Sequence, residues 1–235
     1  VRAAETPARG EYAPDVADPF AFIPRLLGTF IAFEGPDGSG KSTQLRRFLT
    51  LCKDRDVPVC EVREPGGTAV GERVRTILLD HAHADMSLRC EMLLYMASRA
   101  QLVEQRIRPA LAQRQLVVAD RFVSSTLAYQ GAAGGLPIED IRAVAAVATG
   151  GTMPDLVVIF DVDEHTAGQR MNPLLASGRA ELDRIESRGL DFHRKVRQGY
   201  LEQASSDPDH HIVLDASKSP DDVWAQLLGA LNRRL

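Results

Sequence analysis

Residues Gly35-Pro36-Asp37-Gly38-Ser39-Gly40-Lys41-Ser42 fit the pattern G-x-x-x-x-G-K-[ST], and they join two segments of different period. Before them, Phe30-Ile31-Ala32-Phe33 is a continuous apolar run, as expected of a strand buried on both faces. After them, from Thr43 to Lys53, Leu45, Phe48, Leu49 and Cys52 recur at helical spacing. A strand that turns through glycines into a helix aims successive backbone N–H groups, and the positive end of the helix, at one point. That arrangement binds phosphate. Gly35, Pro36, Asp37, Gly38, Ser39, Gly40, Lys41, Ser42 and Thr43 are therefore the expected contacts of a nucleoside triphosphate. The Lys41 ammonium would reach the β- and γ-phosphates, and the Ser42 hydroxyl would hold magnesium.

From Thr29 onward strands and helices alternate, the pattern of a parallel sheet covered by helices, hence an α/β fold. The candidate strands are 29–34, 58–63, 116–120, 156–161 and 211–215, with helices notably over 88–113 and 189–205. At 235 residues the chain suits one such domain, 29–235, with a tail. The tail, 1–28, is rich in Pro, Ala, Asp and Glu and reads as a flexible extension in which Phe20, Phe22 and Ile23 could dock locally. Residues 171–187 interrupt the alternation with Pro173, Gly178 and several charges, which suggests a short mobile lid.

Composition narrows the partners. A formal net charge of −4 offers no electrostatic reason to expect nucleic acid. No apolar run is long enough to span a membrane, and the N-terminus lacks a signal-peptide core. Cys52, Cys60 and Cys90 are odd in number and lack C-x-x-C spacing, so they read as reduced core residues. A cytoplasmic enzyme fits all of this.

Asp120-Arg121 closes the apolar run Leu116-Val117-Val118-Ala119, so both side chains emerge at the carboxyl edge, where open α/β sheets bind ligands. Asp120 is placed to act on Ser42 and the magnesium shell. Arg121, where water-activating ATPases want a second carboxylate, suggests a second anionic group to clamp. The second strand ends in Arg63-Glu64-Pro65-Gly66-Gly67-Thr68, a turn at the same edge. Tyr95 and Arg99 lie four apart on one helical face and would suit a flat polar heterocycle. Thr126, Tyr129 and Gln130 follow Asp120-Arg121 closely, and Gln130 offers both a donor and an acceptor to a base edge. Each of these also has a plain structural reading: an ion pair, a turn, a core tyrosine, a surface amide.

Taken together, the motifs resemble bacterial thymidylate kinases, P-loop nucleoside monophosphate kinases. Phe33 to Thr43 is similar to the family P-loop, Arg63 to Thr68 to its R-E-P-G-G-T turn, and Asp120-Arg121-Phe122 with Ser125, Ala128, Tyr129, Gln130 and Gly131 to its D-R-[YF]…S…A-Y-Q-G signature. Leu182-Asp183-Arg184-Ile185-Glu186 resembles the family lid, and Asp191-Phe192-His193 with Tyr200-Leu201 the helix after it. The resemblance implies a P-loop NTPase fold: a five-stranded parallel sheet of order 2-3-1-4-5, helices on both faces, and a homodimer. It implies ATP and dTMP as substrates with Mg2+ as cofactor. Lys41, Asp120, Arg121 and the lid arginine Arg179 would be catalytic, with Ser42 and Asp120 at the metal. Asp37 would bind the acceptor 3′-hydroxyl, and Arg121, with Arg75 and Glu64 nearby, its phosphate. Tyr95 would stack on the base, Arg99, Gln130 and Thr126 would read it, and Tyr129 would crowd the 2′ position. The sequence departs from the family at Ser98, where relatives often carry an acid and little consequence is expected. It departs again at Met171 to Leu175, which is more apolar than the usual lid, so that Arg170 or Arg184 could share the role of Arg179.

Two other classes remain open at this point. Deoxynucleoside kinases also place Glu-Pro after the second strand, which would make Glu64 a general base for a neutral hydroxyl. A non-catalytic nucleotide-binding protein would share the loop without the transfer. A GTPase would need an [NT]-K-x-D motif, and none occurs.

Overall fold

The computed structural model describes residues 20–177, 183–185 and 187–235. Strand β1 (Phe30–Glu34) leads through the glycine loop into α1 (Lys41–Asp54), then β2 (Val59–Arg63), α2 (Ala69–Leu79) and α3 (Leu88–Leu102). A π-helical stretch (Val103–Ile107) joins α3 to α4 (Arg108–Ala112) and β3 (Leu116–Asp120). Then follow α5 (Val123–Thr126), a second π-helical stretch (Leu127–Ala133), α6 (Ile138–Thr149), β4 (Leu156–Asp161), α7 (Glu164–Ala176), α8 (Leu190–Ser206), β5 (His211–Asp215) and α9 (Pro220–Arg234).

The strands form one parallel sheet of order β2-β3-β1-β4-β5, as the resemblance implies. The three central strands are apolar up to an acidic last residue because both their faces are covered. The edge strands β2 and β5 alternate buried and exposed residues. Side-chain alternation divides the core in two. Phe30, Ala32, Val117 and Ala119 pack with α3, α6 and α8, whereas Ile31, Phe33, Leu116 and Val118 pack with α1 and α9. Neighbouring strands β1 and β3 are thus followed by elements on opposite faces. The chain parts between their carboxyl ends and opens a crevice there.

Three expectations need adjusting. The helix expected over 88–113 is not continuous: its turn widens at Val103–Ile107, just before Pro109 enters α4 near its start. Proline cannot donate the regular helical bond and its ring crowds the preceding turn, so the wider turn absorbs it. Residues 171–176, expected to begin the lid, complete α7 instead. Burial of Ala167 and hydrogen bonds from Arg170 to Ala216 O and Ser217 O, at 2.8 and 3.1 Å, anchor that helix to the body. Residues 178–182 and 186, the rest of that expectation, lie outside the described residues, as do residues 1–19.

The end of the expected flexible extension is part of the fold. Phe22 and Leu26 are fully buried in the α1–α9 layer, and the Phe22 N–H donates to Asn232 Oδ1 of α9 at 3.1 Å. Truncation of a buried phenylalanine costs about 3–5 kcal/mol. Phe22→Ala should therefore lower unfolding free energy by about that amount in urea titration. A loss below about 1 kcal/mol would mean that this segment does not support the domain.

Candidate active site

The crevice is a cavity of about 190 Å³ at the carboxyl ends of β1, β2 and β3. All nine residues expected to contact an acceptor line it: Asp37, Glu64, Arg75, Tyr95, Arg99, Arg121, Thr126, Tyr129 and Gln130. Lys41, Ser42 and Asp120 line it as well. Arg179 lies outside the described residues.

The glycine loop enters this cavity from one side. Gly38 has a φ of +77°, and a Cβ there would meet the Ala167 carbonyl oxygen at 2.5 Å, so only glycine lets the loop lie this close to α7. Gly40 caps α1 without a side-chain hydrogen bond, so the Lys41 and Ser42 N–H groups are available to an anion, whereas the Thr43 N–H bonds Gly40 O at 3.0 Å. Among the described residues the buried Ser39 hydroxyl has no hydrogen-bond partner either. Both features fit a bound triphosphate. Lys41 is ion-paired to Asp120. Burial depresses the Lys41 ammonium, helped by nearby Arg121, while Asp120 and Asp37 partly restore it. Ser42 and Asp120 offer one hydroxyl and one carboxylate in the same cavity, hard oxygen donors of the kind magnesium takes alongside water and phosphate.

Arg121 lines the cavity next to the loop. Its φ of +70° is unusual for a residue with a Cβ. Nη2 donates to Asp37 Oδ1 at 2.7 Å, and Nη1 to Ser125 Oγ and Tyr200 OH, each at 3.2 Å. The guanidinium also lies 5.3 Å from the centroid of the Tyr129 ring. Burial alone would raise the Asp37 carboxyl, but Arg121 and Lys41 overcome it and hold the group below its usual range.

Beneath Arg121 sits Glu34, the last residue of β1 and fully buried. It accepts from the Phe122 and Ser125 N–H groups at 2.7 and 3.3 Å, from Ser125 Oγ at 2.6 Å and from Tyr200 OH at 3.0 Å. Burial raises its carboxyl, with those donors and Arg121 pulling the other way. Glu34 and Tyr200 had no place among the expected site residues. A charged residue ending an apolar strand is a visible signal for the first, but Tyr200 arrives from 166 residues away.

The base side of the cavity is built on α3. Arg99, 1% exposed, donates from Nε and Nη2 to Glu64 Oε2 at 2.8 and 2.5 Å, from both Nη atoms to Thr126 Oγ1 at 3.2 Å, and from Nη2 to Phe122 O at 3.1 Å. The Gly66-Gly67 turn, with φ values of +127° and +77°, is held by Ser98, whose buried hydroxyl accepts the Gly66 N–H at 3.1 Å. Helix α3 presents Ser98 to the turn. Arg75 donates to Pro65 O of the same turn at 3.1 Å. The two alternative lid arginines are engaged elsewhere: Arg170 on the carbonyls after β5, and Arg184, buried, on Leu78 O at 3.0 Å and Glu91 Oε2 at 2.6 Å.

The family model for thymidylate kinase matches residues 33–227. Bacterial proteins of that name are close in sequence along nearly their whole length. One from Desulforudis audaxviator is 43% identical over 214 residues, covering 89% of this chain and 94% of the relative. One from Deinococcus radiodurans is 44% identical over 207 residues, covering 88% and 98%. A third, from Symbiobacterium thermophilum, is 43% identical over 197 residues, covering 84% and 89%. The chain belongs to the thymidylate kinase family. Every motif that carries the resemblance falls inside the matched residues.

Within this family member the Glu64–Arg99 pair carries a pH signature. Burial pushes the Glu64 carboxyl up to about 7 from 4.5, against the pull of Arg99. The folded state therefore binds its proton more tightly than the unfolded chain does. The stability this proton confers is full below about pH 4.5 and is lost as pH rises through about 7. Glu64→Gln should flatten the pH dependence of unfolding free energy across that window, measured by urea titration. A parent profile no steeper than the variant's there would mean that Glu64 is not the titrating group.

Proposed function

We propose that this thymidylate kinase family member transfers the γ-phosphoryl group of ATP to the phosphate of dTMP, producing ADP and dTDP. The supporting observation is that two cationic positions line one cavity. One is the glycine loop with Lys41; the other is Arg121, braced by Asp37, Ser125 and Tyr200. A monophosphate is already largely ionised near neutral pH, with a second pKa of about 6. Such an acceptor needs clamps more than a base. In this reading Glu64 orients Arg99, which donates two hydrogen bonds to its Oε2.

In this reading the loop N–H groups and Lys41 hold ATP, and Ser42 and Asp120 hold magnesium. The ion, when bound, neutralises charge on the transferring phosphates. Arg121, with Arg75, grips the dTMP phosphate, and Asp37 takes the 3′-hydroxyl. Tyr95 stacks on thymine, while Arg99, Thr126 and Gln130 read its edge. Tyr129, packed beside Arg121, closes the space a 2′-hydroxyl would need. A dTMP phosphate oxygen attacks the γ-phosphorus as its bond to the ADP oxygen breaks, and catalysis is then positioning and charge neutralisation with no covalent enzyme intermediate. The free thiols Cys52, Cys60 and Cys90 suit a reducing compartment, and we place the enzyme in the cytoplasm.

A coupled ADP-release assay with ATP, magnesium and a panel of dTMP, dUMP, dCMP, dGMP and thymidine tests this. Turnover should be strongest with dTMP, and Arg121→Ala should lower kcat/KM for dTMP by about 10²–10³-fold with unchanged circular dichroism. Turnover with thymidine alone would assign Glu64 as a base and overturn the reading.

We further propose a homodimer through the face of α2, α3 and α6. These helices pack side by side and expose Val70 and Ile77 of α2, Leu93 of α3 and Val147 of α6. Val147 is 85% exposed. Sedimentation equilibrium should give a dimer for the parent and a monomer for Leu93→Arg. A monomeric parent would remove the proposal.

A further inference from the structure

Helix α3 carries a third buried carboxylate, Glu91, that none of the roles above uses. It is fully buried and three groups donate to it. Gln130 Nε2 reaches Oε1 at 2.8 Å, and Arg184 Nη2 and Arg188 Nη2 reach Oε2 at 2.6 and 2.7 Å. Gln130 is itself 2% exposed and lines the cavity, whereas Glu91 stands behind it. Glu91 occupies the first turn of α3, where acidic residues are common for the helix field alone, so its position in the sequence carries no functional signal.

The chemistry of this chain of contacts is directional. A carboxylate only accepts hydrogen bonds and a guanidinium only donates them. Facing Glu91, the Gln130 amide must present its nitrogen, and its oxygen is then the group left for the cavity. An amide free to turn would offer a donor or an acceptor with equal ease and would discriminate poorly between bases that differ in just this respect. Thymine carries a hydrogen on its N3 ring nitrogen and donates there; cytosine has a bare N3 and accepts.

We propose that Glu91 is a specificity-determining positioning residue: it locks the Gln130 amide with its oxygen toward the base, so that the site accepts a pyrimidine with a ring N–H and rejects cytosine. The inference rests on the placement of Gln130 at the base given under the proposed function.

Glu91→Gln tests it with little change of volume. Arg184 and Arg188 can still only donate, so they retain the oxygen of the new amide. Its nitrogen then faces Gln130, and Gln130 turns to present its own nitrogen to the cavity. The ratio of kcat/KM for dTMP over dCMP should fall by at least about tenfold, since an unmatched buried polar contact costs about 1–3 kcal/mol. The fall should include a gain with dCMP. Loss of packing alone would lower both substrates together and leave the ratio unchanged, which would overturn the proposal. Gln130→Leu, measured alongside, separates the two claims. If it leaves kcat/KM for dTMP within about twofold, Gln130 does not read the base and the underlying placement fails. If it lowers dTMP use while Glu91→Gln leaves the ratio intact, only the lock fails. Should Glu91→Gln not fold, the exchange Glu91→Gln with Gln130→Glu restores an acceptor to the cavity at unchanged charge. The double variant is then expected to keep the parent ratio, and a collapsed ratio would overturn the proposal.

Discussion

Arg121 leaves β3 with a positive φ, and the geometry of the cavity depends on how that one residue is held. A non-glycine residue in this region carries strain of order 1–3 kcal/mol, which persists only where the surroundings over-determine it. Here they do. The Arg121 N–H donates to Phe33 O of the neighbouring strand at 3.0 Å, and the guanidinium is fixed by Asp37, Ser125 and Tyr200. Ser125 and Tyr200 are in turn fixed by Glu34. Loop, strand end, α5 and α8 are therefore tied through one buried carboxylate to one guanidinium. A guanidinium held this way has a fixed orientation in the cavity.

Buried charge is distributed around the cavity in the same manner elsewhere. Glu64 holds Arg99, and Glu91 holds Gln130, Arg184 and Arg188. Taking such groups out of water costs several kcal/mol each, and their mutual attraction often does no better than offset it. Their value here is geometric. Arg99 and Gln130 each have a buried carboxylate behind them that dictates their orientation.

Much of this was legible in the residues. Gly35 to Ser42 between an apolar strand and an amphipathic helix can hardly form anything but a phosphate-binding turn, because its glycines and its flanking periods are local properties. Asp120-Arg121 at the end of a buried strand had to emerge at the carboxyl edge. What escaped notice was Glu91, which looks like an ordinary helix N-terminal acid, and Tyr200, whose partners are far away in sequence. Phe22 and Leu26 looked like part of a tail because the helix they pack against, α9, ends the chain.

The sequence by itself determined the order of strands and helices, the phosphate loop, and the family to which the chain belongs. All three are written in short-range period and in contiguous motifs. The tertiary structure alone decided which face each helix covers, that nine dispersed side chains line one cavity, and which buried carboxylate orients which donor. Those outcomes depend on pairings across tens to hundreds of residues. A hydrogen-bond partner is selected by proximity in space and by the cost of leaving a buried polar group unpaired, and neither quantity has a local signature.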